Sequence, residues 1–198
     1  QALLADHILS TWSELTSALV INPLASMASN NSKPYQLQLI RDAGFLVPDT
    51  LITTDPQAAE QFWLRHRNVI YKSLSATRSQ VSRLGPLHHA RLLDVVSCPT
   101  QFQQHIPGRD HRVHVIGSRI FASELVCDAD DYRYPGAHPL EIRPADIPAE
   151  IQEMCYAIAR SLRLPLAGVD LRRTPDGDWY CFEVNPSPAF TYYENATG

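Results

Sequence analysis

Residues 168–186 read GVDLRRTPDGDWYCFEVNP, and the fold turns on how they pair. Polar and apolar residues alternate on both sides of Pro175-Asp176-Gly177, a turn tripeptide, so the stretch predicts a β-hairpin with strands over 169–174 and 178–184. Period-2 alternation sends Tyr180, Phe182 and Val184 to a core, and Trp179, Cys181, Glu183 and Asn185 to the other face. Folding about the turn sets Asp170 opposite Glu183 to within about one position. Two carboxylates and an amide oxygen then share one patch of sheet. Such hard oxygen donors suit Mg²⁺ completed by water and phosphate oxygens, although a solvated face with incidental acids fits the same spacing.

Outward from this hairpin, Ile151, Met154, Cys155, Ile158, Ala159 and Leu162 recur at helical spacing between Pro148 and Arg163 and predict an amphipathic helix. Strands over 112–116 and 119–125 flank Gly117-Ser118, a second hairpin, and 101–106 reads as a strand stopped by Pro107-Gly108. The first half alternates. Helices are expected over about 1–19, from Ser32 to Gly44, and from Asp55-Pro56 to about His66. Strands are expected over 46–53 and 68–73, the second delivering Lys72 at its end, before a hydroxyl-rich loop; 73–83 is the candidate lid. This order predicts an α+β protein of two lobes. Residues 1–19 would be a leading helix, 20–100 a small lobe, and 101–198 a large lobe carrying the acidic hairpin.

Composition narrows the partners. The 198 residues are 44% hydrophobic and 19% charged with a net charge of −4, which suits a packed core and gives no general attraction to nucleic acid or acidic membrane. No apolar stretch approaches the roughly 20 residues of a membrane helix, and with no charged-then-apolar leader the expectation is cytoplasmic. Cys98, Cys127, Cys155 and Cys181 form no CxxC pair, so reduced, mostly buried thiols are expected rather than a zinc site or disulfide scaffold. His111 and His114 differ by three on a strand and face opposite ways. Only two of the 17 basic residues are lysines. Lys33 opens a helix and Lys72 ends a strand, where each can meet a phosphate as a point charge. With the acidic hairpin they suggest a nucleoside triphosphate held between lobes.

Lys33, Lys72, the run Gln103-Gln104-His105-Ile106-Pro107-Gly108-Arg109-Asp110, Gly168-Val169-Asp170 and Phe182-Glu183-Val184-Asn185-Pro186 together resemble the ATP-grasp superfamily. Cys98-Pro99 through Phe102-Gln103, His111-Arg112-Val113, Phe121-Ala122-Ser123-Glu124, Asp131-Tyr132-Arg133, Thr174-Pro175-Asp176-Gly177 and Glu194-Asn195-Ala196-Thr197-Gly198 narrow the likeness. They are similar to the branch of microviridin-type peptide maturases (graspetide ligases) and ribosomal-protein glutamate ligases, from about residue 20 onward.

The resemblance implies an ATP-grasp fold, two α+β lobes sandwiching a nucleotide, with the lobe that precedes Lys33 in a complete ligase expected to be missing. It implies ATP and Mg²⁺ as cofactors, with Lys33 and Lys72 on phosphates. Gln103, Gln104, His105 and Ile106 would border the adenine, Gln104 and Ile106 through backbone groups, and Asp110 would lie near the ribose. Asp170, Glu183 and Asn185 would hold magnesium, and Arg112 and Arg133 would steady the transferring phosphate or an acyl-phosphate. The implied activity is a ligase that activates a carboxylate as an acyl-phosphate and joins it to an amine or hydroxyl, a peptide being one class of substrate. A nucleotide-binding module without turnover and an ATP-grasp kinase are the rivals. Two departures stand out: the loop after Lys72 has no glycine before Gly85, and Asn185 is followed by Pro186-Ser187-Pro188-Ala189-Phe190.

Overall fold

The structure is a computed structural model and describes residues 2–74, 81–127 and 140–197. In chain order the helices and strands are α1 (Ala2–Leu15), α2 (Leu24–Met27), α3 (Lys33–Asp42), β1 (Thr50–Thr53), α4 (Pro56–His66), β2 (Val69–Ser73), β3 (Ser82–Arg83) and α5 (Pro86–His89). Then follow β4 (Thr100–Gln104), β5 (Arg109–Ile116), β6 (Arg119–Val126), β7 (Glu141–Pro144), α6 (Ala149–Ser161), β8 (Leu166–Arg173), β9 (Trp179–Asn185) and α7 (Thr191–Thr197). Two compact units result, each α+β and each discontinuous in sequence. The first is Gln1–Val47, Arg109–Glu124 and Ile142–Gly198; the second is Pro48–Gly108 and Leu125–Glu141.

This division differs from one at residue 100, and β4 gives the reason. It spans that point as an inner strand, paired with β1 on one side and β2 on the other, so the chain cannot change units there. The expected strand over 46–53 is divided too. Leu46 bridges Tyr180 within the first unit, whereas Thr50–Thr53 pair with β4 in the second. Pro48 between them has no N–H to donate, so a continuous ladder is broken there.

The first unit is built on a five-stranded sheet ordered β7-β6-β5-β8-β9. Along β5 and β8 every second residue is apolar and buried: Val113 and Val115, then Ala167, Val169 and Leu171. Helix α6 covers that face with Ile151, Cys155, Ile158 and Ala159, whose spacing holds one stripe toward the sheet. Each fully buried aliphatic side chain contributes about 1.5–3 kcal/mol relative to exposure. Burial pushes the Cys155 thiol up to about 12, so it packs as a small apolar group. Cys98, by contrast, is exposed.

Hairpin β8–β9 closes on a turn in which Gly177 takes φ +97°, a conformation that favours glycine, and its N–H donates to the Thr174 carbonyl (3.0 Å). The register sets Asp170 against Glu183 and then shifts, with Leu171 against Cys181. Phe182 is therefore the extra residue of a β-bulge. The bulge corrects the expected alternation: Cys181 is fully buried with Val184 in the core, and Phe182 is only partly buried, because one inserted residue inverts the phase of the strand beyond it.

The second unit has a four-stranded antiparallel sheet ordered β1-β4-β2-β3. Its core is Ala59 and Phe62 from α4, with Val69, Leu84, Leu92, Val95 and Phe102. Helix α4 starts as the sequence signals, with the Asp55 carboxylate accepting from the Gln57 N–H (2.8 Å) and Pro56 in the first turn. The first helix, α1, stops at Leu15 instead of 19, and none of its residues is buried. No described helix is long and apolar enough to cross a membrane.

Candidate functional site

On the first unit's sheet, the face opposite α6 carries the chemistry. Three antiparallel strands line up His114, Gly168 and Asn185 in one row, Arg112, Asp170 and Glu183 in the next, and Asp110, Arg172 and Tyr180 in a third. The middle row holds two adjacent acids, Asp170 and Glu183, with a cation at either end. Arg112 Nε lies 2.7 Å from Asp170 Oδ1, and Glu183 Oε1 accepts from the Lys33 ammonium. Lys33 comes from the first residue of α3 and also donates to Asn30 Oδ1 (3.2 Å). These side chains are partly buried, 10% exposed for Arg112 and 28% for Asp170, so their attraction is screened less than that of a surface pair.

Arg112 is enclosed on several sides. Its guanidinium carbon stands 5.8 Å from the centre of the Tyr193 ring, a cation–π contact from α7. Gly168 makes the space: a Cβ there would sit 2.6 Å from Pro188 Cβ and 2.8 Å from Arg112 Nη1. His114 packs edge-on against the same Tyr193 ring, with centroids 5.0 Å apart, and its Nε2 lies 3.2 Å from the Ala189 carbonyl oxygen. Burial, reinforced by the Arg112 charge, holds the His114 imidazole below the ordinary histidine range, the Ala189 bond partly opposing this.

Asp110 does not stand open for a ribose. Arg172 grips it bidentately, Nε to Oδ1 at 2.7 Å and Nη2 to Oδ2 at 2.9 Å, while resting 5.2 Å from the Phe182 ring centre. Asn185 Oδ1 accepts from the Ser187 N–H (2.8 Å), which shapes the chain leaving β9. His111 lies on the core side against Trp179, with centroids 4.8 Å apart, so the two histidines face opposite ways.

In the second unit, Lys72 is on β2 opposite Gln101 of β4. The Gln101 side chain is buried, and its Oε1 has no hydrogen-bond partner among the described residues. Gln103 is buried and spends its amide on the Thr50 hydroxyl (3.0 Å). The Gln104 N–H donates to the Asp49 carbonyl and the His105 N–H to that of Asn68, both at 2.9 Å. The Gln104 N–H is thus engaged within its own unit, because β4 continues its pairing to that residue; Ile106 is buried. Arg133 and residues 75–80 of the proposed lid lie outside the described residues.

The donor set can be tested against a metal. No group of three or more His, Cys, Asp or Glu able to hold an ion occurs among the described residues. Two carboxylates and one amide oxygen fit an open Mg²⁺ site that relies on phosphate and water, and not a closed protein cage. Glu183 already holds a cation in the Lys33 ammonium, which is consistent with that reading.

The sequence pattern of the RimK-like ATP-grasp domain matches residues 30–198. The chain belongs to the RimK-like ATP-grasp family. No curated protein sequence matches it. Among solved structures, ATP-grasp ligase PsnB, complexed with a phosphomimetic variant of minimal precursor, Mg and ADP, is similar at 30% identity and a TM-score of 0.87, over 99% of this chain and 62% of that one. Macrocyclase MdnC from Microcystis aeruginosa MRC, bound with precursor peptide MdnA, is similar at 26% identity and a TM-score of 0.81, over 98% of this chain and 65% of that one. VanG D-Ala:D-Ser ligase from Enterococcus faecalis, at 21% identity and a TM-score of 0.69 over 95% and 62%, shares the fold. The chain spans less than two thirds of the length of these three proteins.

Gln36, whose side-chain amide bonds the Val184 backbone, Arg172, His114 and Tyr193 are residues around the candidate site whose part sequence reasoning missed. An amide or a tyrosine in an amphipathic stretch carries no signal of its own; each becomes visible only through its partner far along the chain.

Proposed function

We propose that this RimK-like ATP-grasp chain serves a ligase that uses ATP and Mg²⁺ to join a carboxylate to an amine or hydroxyl on a peptide. The observation that carries the reading is the Arg112–Asp170–Glu183–Lys33 charge row, an acidic pair flanked by two cations on one open sheet face. In the proposed reaction a substrate carboxylate oxygen attacks the γ-phosphorus of ATP and ADP leaves. The resulting acyl-phosphate is attacked at its carbonyl carbon by the amine or hydroxyl, which loses its proton as inorganic phosphate departs. Such chemistry needs positioning and charge neutralisation more than covalent help from the protein.

Asp170, Glu183 and Asn185 would hold magnesium, which when bound supplies positive charge to the phosphate oxygens. Arg112, braced by Asp170, Tyr193 and the gap at Gly168, presents a fixed guanidinium to developing negative charge. Lys33, which donates to Glu183 from the start of α3, would give its ammonium to a phosphate. Lys72, near the end of β2, keeps the phosphate role proposed for it from the resemblance. The peptide substrate is supported by PsnB and MdnC, whose structures contain precursor or precursor peptide.

Binding decides the first step. Calorimetric titration with ADP should give an affinity that rises with Mg²⁺, and Glu183→Gln should abolish the rise; an affinity indifferent to Mg²⁺ sinks the reading. ADP release that requires both a carboxylate and a nucleophile then separates ligase from binding module, and a stable phosphorylated hydroxyl product marks the kinase.

A further inference from the structure

Gln36 is 1% exposed on α3, one turn after Lys33, and its side-chain amide hydrogen-bonds the sheet at Val184. Its Nε2 donates to the Val184 carbonyl (2.9 Å), and its Oε1 accepts from the Val184 N–H (3.1 Å). Strand β9 is the edge of the five-stranded sheet, so its outward N–H and C=O groups lack a neighbouring strand. The primary amide supplies the donor and acceptor that such a strand would have offered, at that residue. Nearby, the Leu46 carbonyl does half of this for the Cys181 N–H (2.9 Å).

The position of the clamp matters. Val184 stands between Glu183 and Asn185, and its own side chain is fully buried in the core. It is therefore held on the backbone by Gln36 and on the side-chain side by α6 and its neighbours. Just before it lies the Phe182 bulge, where the ladder to β8 is disrupted and the strand has less to hold it. With the Val184 peptide fixed, the directions in which Glu183 and Asn185 leave β9 are fixed as well. One turn back along the helix, Lys33 reaches Glu183, so two consecutive turns of α3 grip two consecutive residues of β9.

We propose that Gln36 is a positioning residue for the metal site, setting the aim of Glu183 and Asn185 through the Val184 peptide without touching the ion or the nucleotide. The inference rests on the reading of Asp170, Glu183 and Asn185 as magnesium ligands. A residue that only stabilised the core would lower stability and weaken all ligands alike. One that aims the ligands affects magnesium selectively.

Gln36→Met keeps the length of the side chain and removes both hydrogen bonds. In calorimetric titrations with ADP over a range of free Mg²⁺ concentrations, it should raise the Mg²⁺ needed for half-maximal tightening by about tenfold, the lower end of the effect seen when partners that orient metal ligands are lost. ADP affinity without Mg²⁺ should stay at the wild-type value. Should that variant not fold, Gln36→Asn, which keeps an amide too short to make both bonds, is held to the same criterion. An unchanged Mg²⁺ requirement, or equal weakening with and without Mg²⁺, overturns the inference while leaving the magnesium site standing. A wild-type chain whose ADP binding ignores Mg²⁺ overturns both together.

Discussion

The two sheets carry their chemistry differently. On β5, β8 and β9 the named groups are charged side chains already locked to one another: Arg112 to Asp170, Asp110 to Arg172, Lys33 to Glu183. On β1, β4 and β2, Lys72 is the charged member, and the other named positions are amides or backbone groups committed to their own sheet, as with Gln103 on Thr50 and the Gln104 N–H on Asp49. Removing one member of an interlocked row leaves a partly buried opposite charge behind, so effects in the first unit should spread to neighbours. In the second unit the named amides leave no charge behind when removed. The contrast is one between a surface of paired charges and a sheet whose named groups are mostly neutral.

The most severe test is Arg112→Met. It deletes a fixed cation from the proposed phosphate site and strands Asp170, so ATP turnover, read as ADP release, should fall by roughly 10²–10³-fold. A loss confined to nucleotide affinity would instead put Arg112 on a par with Lys72 and erase the contrast. Next comes Gly168→Ala. Its methyl group would stand 2.6 Å from Pro188 Cβ, and forced overpacking of this kind costs about 1–3 kcal/mol. Gly85→Ala in the second unit is the matched control, since its backbone is extended (φ −119°) and the nearest atom would be 3.7 Å away. Thermal melts should show a fall of several degrees for the first and almost none for the second. Equal shifts would show that the crowding around Arg112 is not special.

Those two positions also mark how far the sequence could be read. Asp170 opposite Glu183 follows from a turn tripeptide and strand alternation, both local rules, and the pairing is found. The α6 stripe and the Asp55 cap are legible for the same reason. What failed needed information beyond a few residues. The bulge at Phe182 moves Cys181 into the core, and no residue type announces it. Nothing near Asp110 in sequence says that Arg172 will occupy it, because that contact is made across the pairing of β5 with β8. The unit boundary escaped because β4 and the segment around Leu46 are assigned by long-range pairing, to which composition is blind. Gly168 reads as an ordinary family glycine until the side chains of Arg112 and Pro188 arrive beside it.

A smaller effect sharpens the second half of the comparison. Lys72→Met should weaken ADP or ATP binding by about tenfold, equivalent to roughly 1.4 kcal/mol, with little change in melting temperature, because the lysine is a point charge near the end of β2 and not part of the core. A drop in thermal stability comparable to that of Gly168→Ala would mean that Lys72 is built into its sheet as firmly as the charged row is into the other.

The gentlest test is pH. Burial holds His111 and His114 below 6.5; for His111 the Arg109 carbonyl and the charges of Glu124 and Asp110 oppose the shift, while Arg173 adds to it. For His114 the Arg112 charge adds to burial, and only the Ala189 carbonyl opposes it. The unfolded chain therefore takes up protons near pH 6.5 that the folded chain refuses, and unfolding is favoured as protons become available. The stabilisation is complete above pH 6.5 and is lost as pH falls through 6.5, until the folded chain also begins to protonate. Melts between pH 7.5 and 5.5 should thus show a modest decline in melting temperature. His114→Phe keeps the ring against Tyr193 but cannot titrate, and should flatten part of that decline; adding His111→Phe should flatten more. A slope that survives both replacements would show that the buried imidazoles do not set how this unit responds to pH.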